Sequence, residues 1–343
     1  MKTEMTPMDR VLSTLSFEEP DRVPFFLLLT THGAKETGVS VKEYYSRPEY
    51  VAEAQLKMQK RYGHDCLYSF YYAALELEAW GGEAIFYEDG PANAGRPIIG
   101  NLEEIDALEA PQVSDSPELL KVLKTTERLK EKAGEEIPII GVVMSPFSLP
   151  VMQLGFAPYL DLIYEEPTHL KKLRGVNESF CVEWANAQLE AGATAICYFD
   201  PLASNTIIPR EVYLKTGFGV SKHIHSRIKG PCVTHLASGR CLPVLADLAK
   251  TGTLGVGVSI LEDLGEIKEA CGKQLAVLGN LNAIEMCRWT PAEAEASVRE
   301  AIDKAAAGGG YILSDNHGEI PWQVPERVLM DIAKAVRKWG TYP

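Results

Sequence analysis

Val23-Pro24-Phe25-Phe26-Leu27-Leu28-Leu29 is apolar from end to end. A strand with one wet face alternates apolar and polar residues, whereas a strand buried on both faces, as in a parallel sheet, reads as a continuous hydrophobic run. Outward from this run, similar short stretches recur at residues 66–70, 137–143, 194–199, 232–236, 254–258, 275–278 and 311–313. Residues 48–62, 159–164 and 170–190 carry apolar positions at helical spacing among charges. Strand-like runs alternating with helices predict an α/β chain, and eight of them close most economically into a single (β/α)8 TIM-type barrel. A doubly wound open sheet is the alternative. Thr6-Pro7-Met8-Asp9 predicts an N-terminal helix to about residue 16, because Thr caps, Pro fits the first turn and an acid favours the positive end of the dipole. Residues 83–87 and 97–99, joined through Asp89-Gly90-Pro91, read as a β-hairpin inserted after the second strand. With no internal repeat or long linker, residues 1–343 are expected to form one domain.

The chain has 34 basic and 47 acidic residues among 343, a formal net charge of −13, and is 46% hydrophobic. That balance argues against a dedicated binder of nucleic acid or anionic membrane, both of which need clustered Lys and Arg. The start, Met1-Lys2-Thr3-Glu4-Met5, lacks the apolar run of a signal peptide, and 23–29 is far too short to span a bilayer. A cytoplasmic chain is therefore expected. Seven scattered cysteines without a CxxC pair point to reduced thiols rather than a disulfide framework.

In a (β/α)8 barrel the chemistry sits on the loops that follow the strands. The first predicted strand leads into Thr31-His32-Gly33, and the second into Tyr68-Ser69-Phe70-Tyr71-Tyr72 with Glu76 and Glu78 beyond. Asp200 follows the fourth, His235-Leu236-Ala237-Ser238 the fifth, Glu262 the sixth, Asn280 the seventh and Asp315-Asn316-His317-Gly318 the eighth. Three of the seven histidines thus fall on one predicted rim. His235 and His317, with His32, and with Glu262, Asp200 or Asp315, make a candidate zinc site, since neutral imidazole and carboxylate together suit that ion. His317, Asp315 and His32 are the candidate catalytic groups. A histidine at a strand end also serves simply to bond a loop backbone, and that reading stands for each taken alone. Tyr68, Phe70 and Tyr72, with Glu76, Asp200 and Asn280, are candidates for binding substrate; the aromatic run equally suits the filling of the barrel mouth.

Met8-Asp9-Arg10-Val11-Leu12, Pro20-Asp21-Arg22-Val23-Pro24, Gly279-Asn280-Leu281 and the closing stretch from Gly309 to Gly318 with Pro321 and Pro325-Glu326 resemble the uroporphyrinogen decarboxylase superfamily. The resemblance spans nearly the whole chain and implies a single (β/α)8 barrel. Decarboxylases of that superfamily carry an arginine-rich motif, Arg-Gln-Ala-Gly-Arg-Tyr, after the first strand, which holds the porphyrinogen carboxylates by paired hydrogen bonds. Here Thr31-His32-Gly33-Ala34-Lys35-Glu36 stands in its place, with no arginine. Glu76-Leu77-Glu78-Ala79-Trp80-Gly81 and Asp200-Pro201-Leu202-Ala203-Ser204 are more similar to the corrinoid-dependent methyltransferase branch.

Coenzyme M methyltransferases of that branch bind zinc through a His-x-Cys after the fifth strand and a cysteine after the eighth. His235 matches the histidine, but Ala237 replaces the first cysteine and no cysteine falls in Asp315-Asn316-His317. The resemblance therefore implies methyl transfer from a small methylated compound to the cobalt of a separate corrinoid protein, with His235, His317 and a carboxylate on any zinc; the aromatic run from Tyr68 to Tyr72, where it lines a pocket, favours a methoxyaromatic donor. The alternatives are a tetrapyrrole lyase, a methylcobalamin:thiol methyltransferase and a non-catalytic barrel. Apolar helical faces are compatible with a homodimer.

Overall fold

The computed structural model describes residues 4–342. Its strands are β1 (Leu67–Tyr68), β2 (Ala84–Ile85), β3 (Asn93–Ala94), β4 (Ile139–Met144), β5 (Ala195–Phe199), β6 (Cys232–His235), β7 (Gly255–Gly257), β8 (Ala276–Leu281) and β9 (Tyr311–Asp315). β1 and β4 to β9 form one curled sheet in which sequential strands pair in parallel. Helices, including Pro48–Tyr62, Pro117–Ala133, Pro167–Glu190, Pro291–Ala305 and Glu326–Trp339, connect the strands. This is the TIM-type α/β architecture expected from the alternation of runs.

The expected first strand is much shorter than its apolar run. Only Phe25 bridges in parallel to Leu313. Around that bridge Phe26 N donates to Leu313 O at 2.8 Å, Leu313 N donates to Pro24 O at 2.9 Å, and on the opposite flank Asp65 N donates to Phe25 O at 2.8 Å. Residues 24–26 therefore fill the eighth position, between β9 and the entry to β1. Pro24 has no N–H to give a ladder, and Leu29 N turns back onto Leu27 O at 2.9 Å, which ends the extended run.

The inserted hairpin also differs from expectation in its second arm. Ala84 pairs with Ala94 and Ile85 with Asn93, which centres the turn on Asp89. In that register position 97 would face Gly81, where the chain is still turning out of the helix Leu75–Glu78. Residues 97–99 instead follow another path, with Ile99 N bonded to Gln153 O at 2.9 Å.

The N-terminal helix Pro7–Leu15 forms as the sequence predicts, with Thr6 Oγ1 accepting from Asp9 N at 3.1 Å. Its Val11 and Leu15 pack with Phe26, Leu28 and Ile312 at the N-terminal end of the barrel. Arg10, on the same helix, reaches Asp65 at 2.6 Å and Asp21 at 2.6 Å, and Arg22 reaches Asp65 at 2.7 Å. Asp65 also accepts from Phe25 N at 2.9 Å, so one buried carboxylate holds the helix, the short first strand and the entry to β1 together. No helix among the described residues is long and apolar enough to cross a membrane.

Candidate active site at the barrel mouth

β6 ends at His235 and β9 at Asp315, so the parallel register sends both loops to the C-terminal end of the barrel. The His235 ring has little freedom. It stacks on Phe199 at the end of β5, with ring centroids 5.7 Å apart and planes inclined by 22°. A methyl group on Gly257 of β7 would sit 2.2 Å from its Cδ2, so that strand must carry glycine there for the ring to fit. Ala237 N donates to His235 Nδ1 at 3.0 Å, from a residue held at φ +52°. A neutral imidazole that accepts at Nδ1 carries its proton on Nε2. Burial, reinforced by the neighbouring His317, pushes the His235 pKa down to about 4, which keeps the ring neutral.

Asp315 organises the loop after β9. Its Oδ2 accepts from His317 N and Gly318 N, both at 2.8 Å, while Oδ1 is buried without a partner. Burial raises the Asp315 pKa. The folded loop sets His317 Nδ1 against Ser238 Oγ and lays Gly318 beside the His235 ring. One residue further on, Glu319 bonds Thr30 Oγ1, and burial, with the Asp315 charge adding, pushes its carboxyl up to about 7. Tyr68 Oη donates to Gly318 O at 3.4 Å and closes this side of the mouth.

The structure thus gathers His235, His317, Asp315 and Tyr68 as the sequence expected, and adds Glu319, Ser238 and Thr30. These three carried only a weak signal. They stand within the strand-end loops, but a lone acid, serine or threonine there has no distinguishing pattern until the turn aims it inward.

Several other candidates are committed elsewhere. Both carboxylate oxygens of Glu262 accept backbone N–H groups, from Cys241 at 2.7 Å and Leu242 at 2.9 Å, so it caps the loop after β6 and does not join His235. Asp200 is buried and accepts from Ser145 and Ser148 Oγ, each at 2.6 Å, which ties the ends of β4 and β5 together. Glu76 accepts from Met144 N at 2.8 Å, and burial pushes its carboxyl up to about 8. Tyr72 lies outside the barrel against Tyr45 and Phe86, with its hydroxyl on Glu78 at 2.8 Å. Tyr68 and Phe70 pack on the axial side, because the two-residue alternation of a strand holds only until the chain turns after Phe70. Asn280 Nδ2 donates to Ser259 O at 3.0 Å and links β8 to the preceding loop. His32 is buried at the start of the helix His32–Thr37, 3.4 Å from Val324 O and with its pKa pushed down to about 4 by burial.

The residues do not fit the expected zinc. Among the described residues no three His, Cys, Asp or Glu side chains converge on one point. Glu262 is spent on backbone amides. His235, with Nδ1 accepting and Nε2 protonated, has no free lone pair to offer a metal. The seven cysteines are free thiols, and none lies in either loop, 236–240 or 316–319, that flanks the two histidines.

The model of the family described as uroporphyrinogen decarboxylase (URO-D) matches residues 6–339. A methylcobamide:CoM methyltransferase, MtbA, of Methanosarcina mazei is 28% identical over 90% of this chain and 92% of its own length. A uroporphyrinogen decarboxylase of Thioalkalivibrio sulfidiphilus is 24% identical over 93% of this chain and 95% of its own. Among solved structures, a methyltransferase from Methanosarcina mazei superposes with a TM-score of 0.87 at 22% identity, covering 98% of this chain and 99% of that one, which shows the shared barrel fold. The match over almost the whole length places this chain in the uroporphyrinogen decarboxylase family.

Proposed function

We propose that this protein is a corrinoid-dependent methyltransferase, which moves a methyl group from a small methylated compound at the barrel mouth to the cobalt of a separate corrinoid protein docked over it. The observation that carries this reading is the chemistry of the mouth: two carboxyl groups with raised pKa, Asp315 and Glu319, on the same loop as His317, with no arginine in the segments 30–36 and 315–319 that meet there. A tetrapyrrole decarboxylase must hold several substrate carboxylates, and the segments 30–34 and 315–319 supply no Lys or Arg to pair with them. Of the three basic residues that could pair with them, Lys35, Arg210 and Arg240, the first two are engaged elsewhere and Arg240 is exposed on the loop after β6. Arg210 pairs with Asp247 at 2.6 Å, and the Lys35 ammonium lies 4.3 Å from the centre of the Trp322 ring. The methylcobamide:CoM methyltransferases among the relatives support methyl transfer. The lack of cysteine at both loops argues against activation of a thiol acceptor.

The partner's corrinoid supplies the nucleophile that takes the methyl carbon. This chain's residues hold the substrate and deal with the charge it leaves. When a methyl group departs from oxygen or nitrogen, the bonding pair stays on the heteroatom and must be neutralised. On this reading Glu319, protonated up to about neutral pH, and His317 deliver that proton. Neutral His235 presents its Nε2–H as a fixed hydrogen-bond donor, held by Phe199 and Gly257. Phe70 and Phe199, both partly exposed on the axial side, offer flat walls to the ring of a methoxylated aromatic substrate.

The test is a spectroscopic assay of a reduced corrinoid protein, mixed with the purified enzyme and either methoxyarenes or methylamines. Loss of the cobalt(I) spectrum with a methoxyarene, at a rate cut at least tenfold in both His317→Ala and Glu319→Gln, is expected. Methyl transfer at the unaltered rate in both variants overturns the assignment.

A further inference from the structure

The axial side of the barrel is hollow at its N-terminal end. In β5 the residues facing the helices, Ile196 and Tyr198, are fully buried, whereas Ala195, Cys197 and Phe199 on the axial side retain exposure. Ile140 of β4 and Val233 of β6 do the same. TIM-barrel interiors are ordinarily filled by layers of large branched side chains. Here β5 contributes Ala195 and Cys197 to the axis, and the space they leave is a cavity of about 80 Å³. Its walls are Ile140, Cys197, Val233, Leu278 and Ile312, and Tyr68 and His235 form its ceiling. At the base it reaches Pro138, Thr194 and Pro231, at the entries to β4, β5 and β6, beside Leu12 of the first helix, which is 51% exposed.

We infer that this hollow is a second ligand site, separate from the mouth, which takes an uncharged apolar molecule of about the size of one aromatic ring or a short alkyl chain, admitted from the N-terminal face past Leu12. Three observations support it. The space is too large for one water, since a cavity needs only about 10–15 Å³ to hold one. Its walls are almost wholly apolar, so several waters there would lack the two to four polar partners each requires, and an apolar guest replaces them favourably. Its size exceeds a packing defect and suits a single ring. The site is independent of the reaction proposed above. It meets the active site only through its ceiling, where Tyr68 bonds Gly318 O and His235 accepts from Ala237 N. A guest pressing on those two rings from below would therefore alter the mouth without entering it.

The experiment is calorimetric titration of the full chain, without any corrinoid protein, using toluene, 1-pentanol and, as the charged control, benzoate. Saturable one-to-one binding of toluene or 1-pentanol is expected, with benzoate silent. Which of the two binds tighter distinguishes a ring guest from a chain guest. Ala195→Leu and Val233→Phe fill the hollow at different heights, and each is expected to weaken binding more than tenfold while still unfolding cooperatively. A crystal soaked with the bound probe should show it between Ile140, Cys197 and Val233. Absence of saturable binding to the unaltered chain, binding untouched in whichever filled variant folds, or a probe seated at the mouth overturns the inference.

Discussion

Gly257→Ala is the most direct probe of how the barrel holds its mouth. The added methyl would lie 2.2 Å from His235 Cδ2 and 2.7 Å from both Cγ and Nε2. The ring cannot slide away freely, because Phe199 stacks on it and Gly318 approaches from the loop after β9. Relief requires the ring to leave its place and give up the hydrogen bond from Ala237 N. Overpacking of this kind costs about 1–3 kcal/mol and a lost buried hydrogen bond adds about 1 kcal/mol, so a destabilisation of about 2–4 kcal/mol is expected. Urea unfolding measures it. A displacement on the order of 1 Å at the mouth should also slow corrinoid methylation roughly a hundredfold. The double variant Gly257→Ala with His235→Ala isolates the cause. Once the ring is gone the methyl has room, so the pair should show a favourable coupling of about 1–3 kcal/mol relative to the sum of the singles. A Gly257→Ala protein within about 0.5 kcal/mol of the parent, the ordinary range for a harmless substitution, or strictly additive singles, would refute the reasoning.

Other substitutions test the remaining parts of the fold and site. Asp65→Ala leaves Arg10, Arg22 and Phe25 N without their shared acceptor, and a loss of about 3–5 kcal/mol is expected in urea unfolding; less than about 1 kcal/mol would show that the cluster is not a clasp. The Glu319 carboxyl is raised in the folded state to about 7, so the stability linked to its neutral form is fully present below its ordinary pKa and is lost as pH rises through about 7. Glu319→Gln should therefore flatten that decline, and the methyl-transfer rate of the parent should fall above about pH 7 along a limb that the variant lacks. Because Glu262 is turned onto the Cys241 and Leu242 amides and the Nδ1 lone pair of His235 is held by Ala237 N, prolonged dialysis against a chelator should leave the rate of methyl transfer unchanged. A loss that zinc restores would show that the loops rearrange to take the ion.

The sequence by itself determined the architecture. Uninterrupted apolar runs such as Tyr311-Ile312-Leu313 can be satisfied only by burial on both faces, and their alternation with helices leaves the barrel as the economical closure. It also placed His235, Asp315 and His317 on one rim, because parallel strands send every following loop to the same end. The helix Pro7–Leu15 followed from local chemistry, the Thr6 cap and the Pro at its first turn. What it left open depended on which way side chains point. Val23 to Leu29 reads as a long strand, yet its pairing with β9 ends after Phe26, since Leu29 N turns back onto Leu27 O and Leu28 O accepts from Ile320 N of the loop after β9. Glu262 and Asp200 look like ligands at strand ends, but backbone amides and serine hydroxyls from distant segments claim their oxygens. Glu319 is an ordinary acid until burial and the Asp315 charge raise its carboxyl. Burial and hydrogen-bond partners are properties of segments brought together from far apart in the chain, so only the tertiary structure could decide which of these carboxylates remain available for chemistry.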